Sequence, residues 1–210
     1  MKNTWSKTQL VYCAFKRLLD ILISLVGLII LIPFFIIIGP IIKLQDGGPI
    51  FFKQKRTGRY GKEFTLVKFR SMAVDNNALD FSRENRMTTI GKFIRRTSID
   101  ELPQFWNILK GEMSFVGPRP WIPEYYENMT KKQRQRCLVR PGITGLAQVK
   151  GRNTISVKKK IEYDLEYVKR ISFNIDVKVI VLTIFTVFKK SEACSSKHDM
   201  KDEISELQHS

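Results

Sequence analysis

Two neighbouring carboxylates, Asp100 and Glu101, sit in the stretch SIDELPQFWNILKGEMSFVGPRP (98–120), with Arg95 and Arg96 before them and Arg119 after them. Acids held inside a set of arginines suit work on a phosphorylated molecule. The carboxylates supply a nucleophile or ligands for a hard metal ion, and the guanidiniums neutralise phosphoryl oxygens. A plainer reading stays open beside it. Ser98-Ile99-Asp100-Glu101 matches the S-x-x-E capping box, so the acids can simply cap a helix and pair with Arg95 and Arg96 on its surface. Either way both acids are expected at a helix N-terminus, with Pro103 in its first turn, where free N–H groups and the helix dipole favour an ionised carboxylate.

Absences narrow the chemistry. The only histidines are His198 and His209, both in the polar tail. That argues against a Ser-His-Asp or Cys-His nucleophile and against histidine-ligated zinc. Cys13, Cys137 and Cys194 are odd in number and far apart, which fits free thiols in a reducing compartment. The formal charge is +16 and the pI about 9.9, so an anionic partner is expected: nucleic acid, phospholipid headgroups or phosphorylated small molecules. No nucleic-acid motif is present, and the aromatic residues are not interleaved with the basic ones as a stacking platform needs, so no nucleic-acid partner is expected. GRYGKE lacks the spacing of a phosphate-binding or dinucleotide glycine loop.

The elements that must position these residues begin with a membrane segment. Ile21 to Ile42 carries no charge, a run of roughly 33 Å as straight helix and long enough to cross a bilayer. Lys2, Lys7, Lys16 and Arg17 precede it; Lys43, Lys53, Lys55, Arg56, Arg59 and Lys62 follow it. The positive-inside rule places both flanks in the cytoplasm. A helix broken at Pro33 that enters and leaves through one face satisfies this, and a straight span does not.

Beyond Gly47-Gly48-Pro49 the pattern predicts a β-hairpin, Ile50–Lys55 with Glu63–Arg70. Phe64, Leu66 or Val67, and Phe69 form its apolar face, and Lys68 and Arg70 project elsewhere. Residues 75–87 read as a loop with a short helix. Thr88 or Thr89 caps a helix through Arg95, and the helix after Asp100 stops at Gly111. A polar helix is expected from about Glu124 to Cys137, an extended segment at TGLAQVKGRN, and an amphipathic helix at VKKKIEYDLEYVKRIS. IDVKVIVLTIFTVFKK reads as a core or interfacial helix. The chain is expected to divide into an anchor (1–45), a catalytic domain (46–190) and a polar, disordered tail (191–210). The fold class is α+β, mostly helical and membrane-associated.

KFRSM, RRTSIDELPQFWNILKGEMSFVGPRP, RPGITGLAQVKGRN and YDLEYV, in this order, resemble the bacterial sugar transferase family, over roughly residues 12–188. Its members are monotopic phosphoglycosyl transferases, similar to the initiating enzyme of bacterial N-glycosylation and to exopolysaccharide initiators, and this chain is similar to their minimal form. The resemblance implies transfer of a sugar 1-phosphate from a UDP-sugar to undecaprenyl phosphate, with release of UMP, at the cytoplasmic face of the bacterial inner membrane. It implies Asp100 as nucleophile, forming a covalent aspartyl-phosphosugar, and as ligand of Mg²⁺, with Glu101 as its metal- or proton-handling partner. Arg119 and Arg152 match phosphate-binding positions, and Lys68, Arg96 and Asp164 match further motif positions of the substrate site. The implied partners are the UDP-sugar, the polyprenyl phosphate and membrane lipid, with homo-oligomerisation left open. Where the family often has Ser-Pro at the break of its hairpin, this chain has Ile32-Pro33.

Overall fold

The N-terminal apolar run forms α1 (Lys7–Asp46). Ser6 starts it with a reciprocal cap: its hydroxyl accepts from the Gln9 N–H, and the Gln9 side chain accepts from the Ser6 N–H. Gly47, at φ 73°, ends it in the left-handed conformation that suits a glycine cap. Helical structure continues through Pro33 and Pro40 as one element. The helix is long and apolar enough to cross a membrane, and Leu22, Ile29, Ile30 and Ile37 lie exposed along it. The structure is a computed structural model and describes residues 5–73, 87–151, 155–188, 204, 205 and 207.

A hairpin follows. β1 (Phe51–Thr57) and β2 (Glu63–Phe69) pair antiparallel, from Phe51 opposite Phe69 to Thr57 opposite Glu63. Side chains alternate across a strand, and here the apolar residues of β2 divide between two faces instead of sharing one. Phe64 and Leu66 pack with Ile108 and Met113. Phe69 packs on the other side with Ile38, Ile42 and Ile94. Lys68 has the parity of Phe64 and Leu66, so it shares their face rather than projecting elsewhere.

Then come α2 (Thr89–Arg96), capped by the Thr88 hydroxyl, α3 (Gln104–Lys110), β3 (Ser114–Val116) and α4 (Pro123–Glu127). The polar helix expected over Glu124–Cys137 is instead α4 and a separate 3-10 segment, Gln133–Leu138. β4 (Gly142–Thr144) pairs parallel with β3. Leu146–Lys150 is a helix, α5, where an extended segment was expected. Here glycine allows main chains to meet: a Cβ on Gly142 would lie 2.2 Å from the Gly117 nitrogen, and one on Gly117 would lie 2.4 Å from the Arg140 carbonyl oxygen. That contact joins the SFVGPRP and RPGITG motifs.

α6 (Val157–Arg170) and α7 (Phe173–Phe188) complete the order. Their buried residues Tyr167, Val168 and Val179 join Val116, Val139 and Leu146 in a second core. The expected loop over 75–87 lies outside the described residues except at Met87, as does most of the tail. Ile204, Ser205 and Leu207 are helical, and Leu207 is fully buried against Met129, Val157 and Ile161, which departs from a disordered tail at those positions.

α1 is part of this packing. Arg17 donates to the carbonyls of Ile108 (2.6 Å) and Leu109 (2.9 Å). Asp20 accepts from the Ser114 hydroxyl and the Phe115 N–H, both at 3.2 Å. At Gly27 the helix meets Phe105, where an added Cβ would sit 2.5 Å from the ring. Gly27→Ala is therefore expected to overpack this contact by about 1–3 kcal/mol. The check is a lower melting temperature in detergent, with Val26→Ala on the exposed side of α1 leaving it unchanged.

Candidate active site

The chain reaches the acid pair through a tight change of direction. α2 ends at Arg96, Thr97 follows, and Ser98 takes the left-handed conformation at φ 61°. A non-glycine residue in that region carries strain of about 1–3 kcal/mol. Ile99–Glu101 then form one 3-10 turn, and Leu102 and Pro103 keep helical angles into α3. The acids thus stand at the N-terminal end of a helical run, as expected, but the capping box does not form, because Ser98 makes no side-chain cap. Asp100 is buried at 5% exposure and Glu101 is half-buried.

Asn107 fixes α3 against the hairpin. Its Oδ1 accepts from the Val67 N–H (3.1 Å), and its Nδ2 donates to the Thr65 carbonyl (2.8 Å) and to Glu112 (2.7 Å). One side chain thereby satisfies the outer edge of β2 and holds the acid turn beside Lys68. Burial pulls the Lys68 ammonium down to about 8; Asp100 opposes this, while Arg95 and Arg119 add to it. Lys68 also lies 5.0 Å from the centre of the Phe52 ring, its cross-strand neighbour.

Arg119 approaches from the loop after β3. Its Nη2 lies 3.1 Å from Glu101 Oε1, and the Glu101 charge holds the guanidinium above its ordinary value. The side chain is exposed, but its backbone is held at three consecutive carbonyls. Arg136 donates to the Arg119 carbonyl (2.8 Å), Arg56 to that of Pro120 (3.2 Å), and the Thr57 N–H to that of Trp121 (2.8 Å). Arg136 is in turn held by Asp164, at 2.9 and 2.7 Å, and lies 4.1 Å over the Trp121 ring. Burial pushes the Asp164 carboxyl up while Arg136 opposes it. Burial, then Arg119, pulls Arg56 down to about 10.

The structure therefore gathers Lys68, Asp100, Glu101 and Arg119. Arg96 is exposed, and its neighbour Arg95 is the one whose charge reaches Lys68. Asp164 does not join the group: it is 2% exposed, and its hydrogen bonds go to Arg136, so it acts on the site by fixing the loop. Arg152 lies outside the described residues. Arg56, Asn107 and Arg136 were missed by sequence reasoning. The basic run at Arg95-Arg96 marked the right neighbourhood, but nothing in one sequence pairs Arg136 with Asp164 or Asn107 with β2.

The acid pair fits a hard divalent cation. Among the described residues no cluster of three or more potential ligands occurs. Mg²⁺ commonly takes one or two carboxylates and completes its shell with water and substrate phosphate, which is what Asp100 and Glu101 offer. A consequence for pH follows from Lys68. Its ammonium is present below about pH 8 and lost above it. Affinity for inorganic pyrophosphate is expected to fall roughly tenfold as pH rises from 7 to 9, the loss of one charge-assisted contact, and Lys68→Arg is expected to flatten the profile. Calorimetric titration with pyrophosphate checks both.

Comparison with known proteins places the chain in a family. The profile of the family described as bacterial sugar transferase matches residues 11–190. The uncharacterized sugar transferase EpsL of Bacillus subtilis is 46% identical over 160 residues, covering 75% of this chain and 79% of its own. The UDP-glucose:undecaprenyl-phosphate glucose-1-phosphate transferase of Klebsiella pneumoniae is 42% identical over 191 residues, covering 85% of this chain but 41% of its own length. The exopolysaccharide production protein ExoY of Sinorhizobium fredii is 35% identical over 188 residues, covering 80% and 83%. The chain thus spans most of two of these relatives and about two-fifths of the third. With nearly its whole described length matched, the chain belongs to the bacterial sugar transferase family.

Proposed function

We propose that this protein is a phosphoglycosyl transferase that moves a sugar 1-phosphate from a UDP-sugar to undecaprenyl phosphate, releases UMP and so initiates a polysaccharide or glycoconjugate. The observation that carries the reading is a buried Asp100 beside Lys68, with the Glu101–Arg119 pair next to it. The glucose-1-phosphate transferase name of the Klebsiella relative supports the reaction class.

In this reading an Asp100 oxygen attacks the phosphorus bonded to the sugar. The phosphoanhydride bond breaks, its electron pair leaves with UMP, and an aspartyl-phosphosugar remains. An oxygen of the polyprenyl phosphate then attacks the same phosphorus and displaces Asp100 as free carboxylate. Two displacements through one nucleophile leave the phosphate linked to the same sugar oxygen throughout. Lys68 and Arg119 hold the phosphoryl oxygens and offset charge as it builds. Asp100 and Glu101 would hold Mg²⁺, which supplies charge neutralisation between carboxylate and diphosphate. Glu101 also keeps Arg119 oriented through its ion pair.

The acceptor is a membrane lipid, and α1 fits that need as a re-entrant anchor, with the site on the cytoplasmic face. What supports this is that one body grips α1 on both sides of Pro33: Asp20 is held by Ser114, and the Ile42 carbonyl accepts from Arg70. A straight helix would separate those points by roughly 33 Å, the thickness of the hydrocarbon core.

Asp100→Asn is nearly isosteric and is expected to abolish UMP release while leaving the melting temperature close to that of the parent. The check is UMP release in detergent with undecaprenyl phosphate, Mg²⁺ and a panel of UDP-sugars; undiminished release by the variant would sink the covalent route. For topology, single cysteines replacing Trp5 and Tyr60, in a chain stripped of native cysteines, are expected to react only from the cytoplasmic side. Labelling at position 5 from outside would mean a crossing helix.

A further inference from the structure

At the far end of α3 from the acid pair, a small, open-mouthed cavity lies between α1 and the body. Its polar wall carries Lys16, Arg59, Arg140 and Asp20, and its rim is apolar at Trp5 and Ile171. We propose that this cavity is a second anion site, distinct from the Asp100 centre, that binds a phosphate group at the membrane surface.

The hydrogen-bond donors around this cavity are only partly spent. Arg59 uses Nε on the Leu138 carbonyl (3.0 Å), and Arg140 uses Nε on the Gly111 carbonyl (2.9 Å). Among the described residues neither has a partner for its two terminal nitrogens. Two guanidinium forks are thus anchored by their stems and left with open ends, the arrangement that takes a phosphate by parallel hydrogen bonds. The acids nearby are at least partly engaged, Asp20 through one of its two oxygens. Asp20 accepts from Ser114 and Phe115, and Asp176 accepts from Lys16 and Tyr12. Arg17 adds a further positive charge while its own hydrogens go to the Ile108 and Leu109 carbonyls. Arg140 is pulled below its ordinary value by burial, then by Arg17 and Arg59. An anion between them would relieve that crowding. The cavity adjoins the first turns of α1, which the proposed anchoring brings to the lipid surface, and its apolar residues Trp5 and Ile171 suit the glycerol end of a phospholipid. The inference does not depend on the reaction at Asp100.

The shared chemistry is a phosphate group, from a lipid headgroup or from free phosphate. Cys13 lines the same cavity and reports its occupancy in the unaltered chain. The full-length protein in neutral detergent is treated with a maleimide, and Cys13 modification is read by peptide mapping with dioctanoyl phosphatidic acid, inorganic phosphate or dioctanoylglycerol present. Phosphatidic acid is expected to slow Cys13 labelling severalfold while dioctanoylglycerol does not. Slowing by inorganic phosphate as well would make the phosphate group sufficient; slowing by the lipid alone would assign a headgroup. R59Q/R140Q is expected to weaken the protecting ligand roughly tenfold or more, as loss of charge-assisted bonds requires. The proposal is overturned if neither phosphate probe protects Cys13, if the uncharged lipid protects equally, or if folded R59Q/R140Q keeps the parent affinity. Because the Cys13 measurement needs no substitution, it stands even if the double variant fails to fold.

Discussion

The buried pair of Arg136 and Asp164 is the interaction on which the site's geometry rests. Its side chains are 3% and 2% exposed, so both ions have left water, at a cost of several kcal/mol each before pairing. One Asp164 oxygen finds no hydrogen-bond partner among the described residues, which adds to that cost. Replacing such a pair with apolar side chains often stabilises a protein, so stability alone does not account for it. Its product is position. Asp164 comes from α6 and Arg136 from the 3-10 segment, and Arg136 passes their placement on to the Arg119 carbonyl. Arg119 is a long, exposed side chain with many rotamers. It meets Glu101 at a fixed place only because its backbone is held by a group that cannot move.

α1 has a comparable double role. Its apolar length suits lipid, yet its polar residues complete the catalytic body. α3 has carboxylates before its N-terminus, and its last carbonyls accept from Arg17, with Arg140 on Gly111 just beyond. Negative charge at the first end and positive charge at the second both complement the helix dipole. α1 therefore caps the helix that carries the acid turn. Tyr12 and Lys16 add a second tie through Asp176, which also accepts from Tyr167, whose hydroxyl is 3.2 Å from the Val116 carbonyl, just before Gly117. α1 and the site are in this way one construction, so with α1 as the proposed anchor its depth in lipid would set the height of Asp100 above the membrane.

What could be read from the chain beforehand followed local rules. The hairpin, the Thr88 and Gly111 caps of α2 and α3, and α6 and α7 obey periodicity and capping, which act over a few residues. The acid pair was legible because two carboxylates inside a basic chain stand out. What escaped depends on distant partners. Asn107 looks like a helix surface residue until β2 lies beside it. Arg136 and Asp164 are 28 residues apart and pair through packing alone. Lys68 was placed on the wrong face because Phe64, Leu66 and Phe69 were read as one stripe, although Phe69 differs in parity and faces α1. Leu146–Lys150 was expected to be extended. Its backbone is set instead by the close approach of Gly117 to Gly142 and Gly145.

The site divides its cations by type. Arg119 stays charged at any physiological pH and is aimed by a carboxylate, which suits a fixed grip on phosphate. Lys68 is different: burial costs its ammonium part of its proton affinity, and Asp100 restores some of it. A dianionic ligand arriving beside Lys68 stabilises the ammonium further, so binding and full protonation reinforce each other. In the ligand-free protein Lys68 and Asp100 attract each other through their charges. A phosphate bound beside them would draw the ammonium toward its own oxygens and weaken its hold on Asp100. A lysine serves this exchange better than an arginine, because its point charge moves between two acceptors without the planar commitment of a guanidinium.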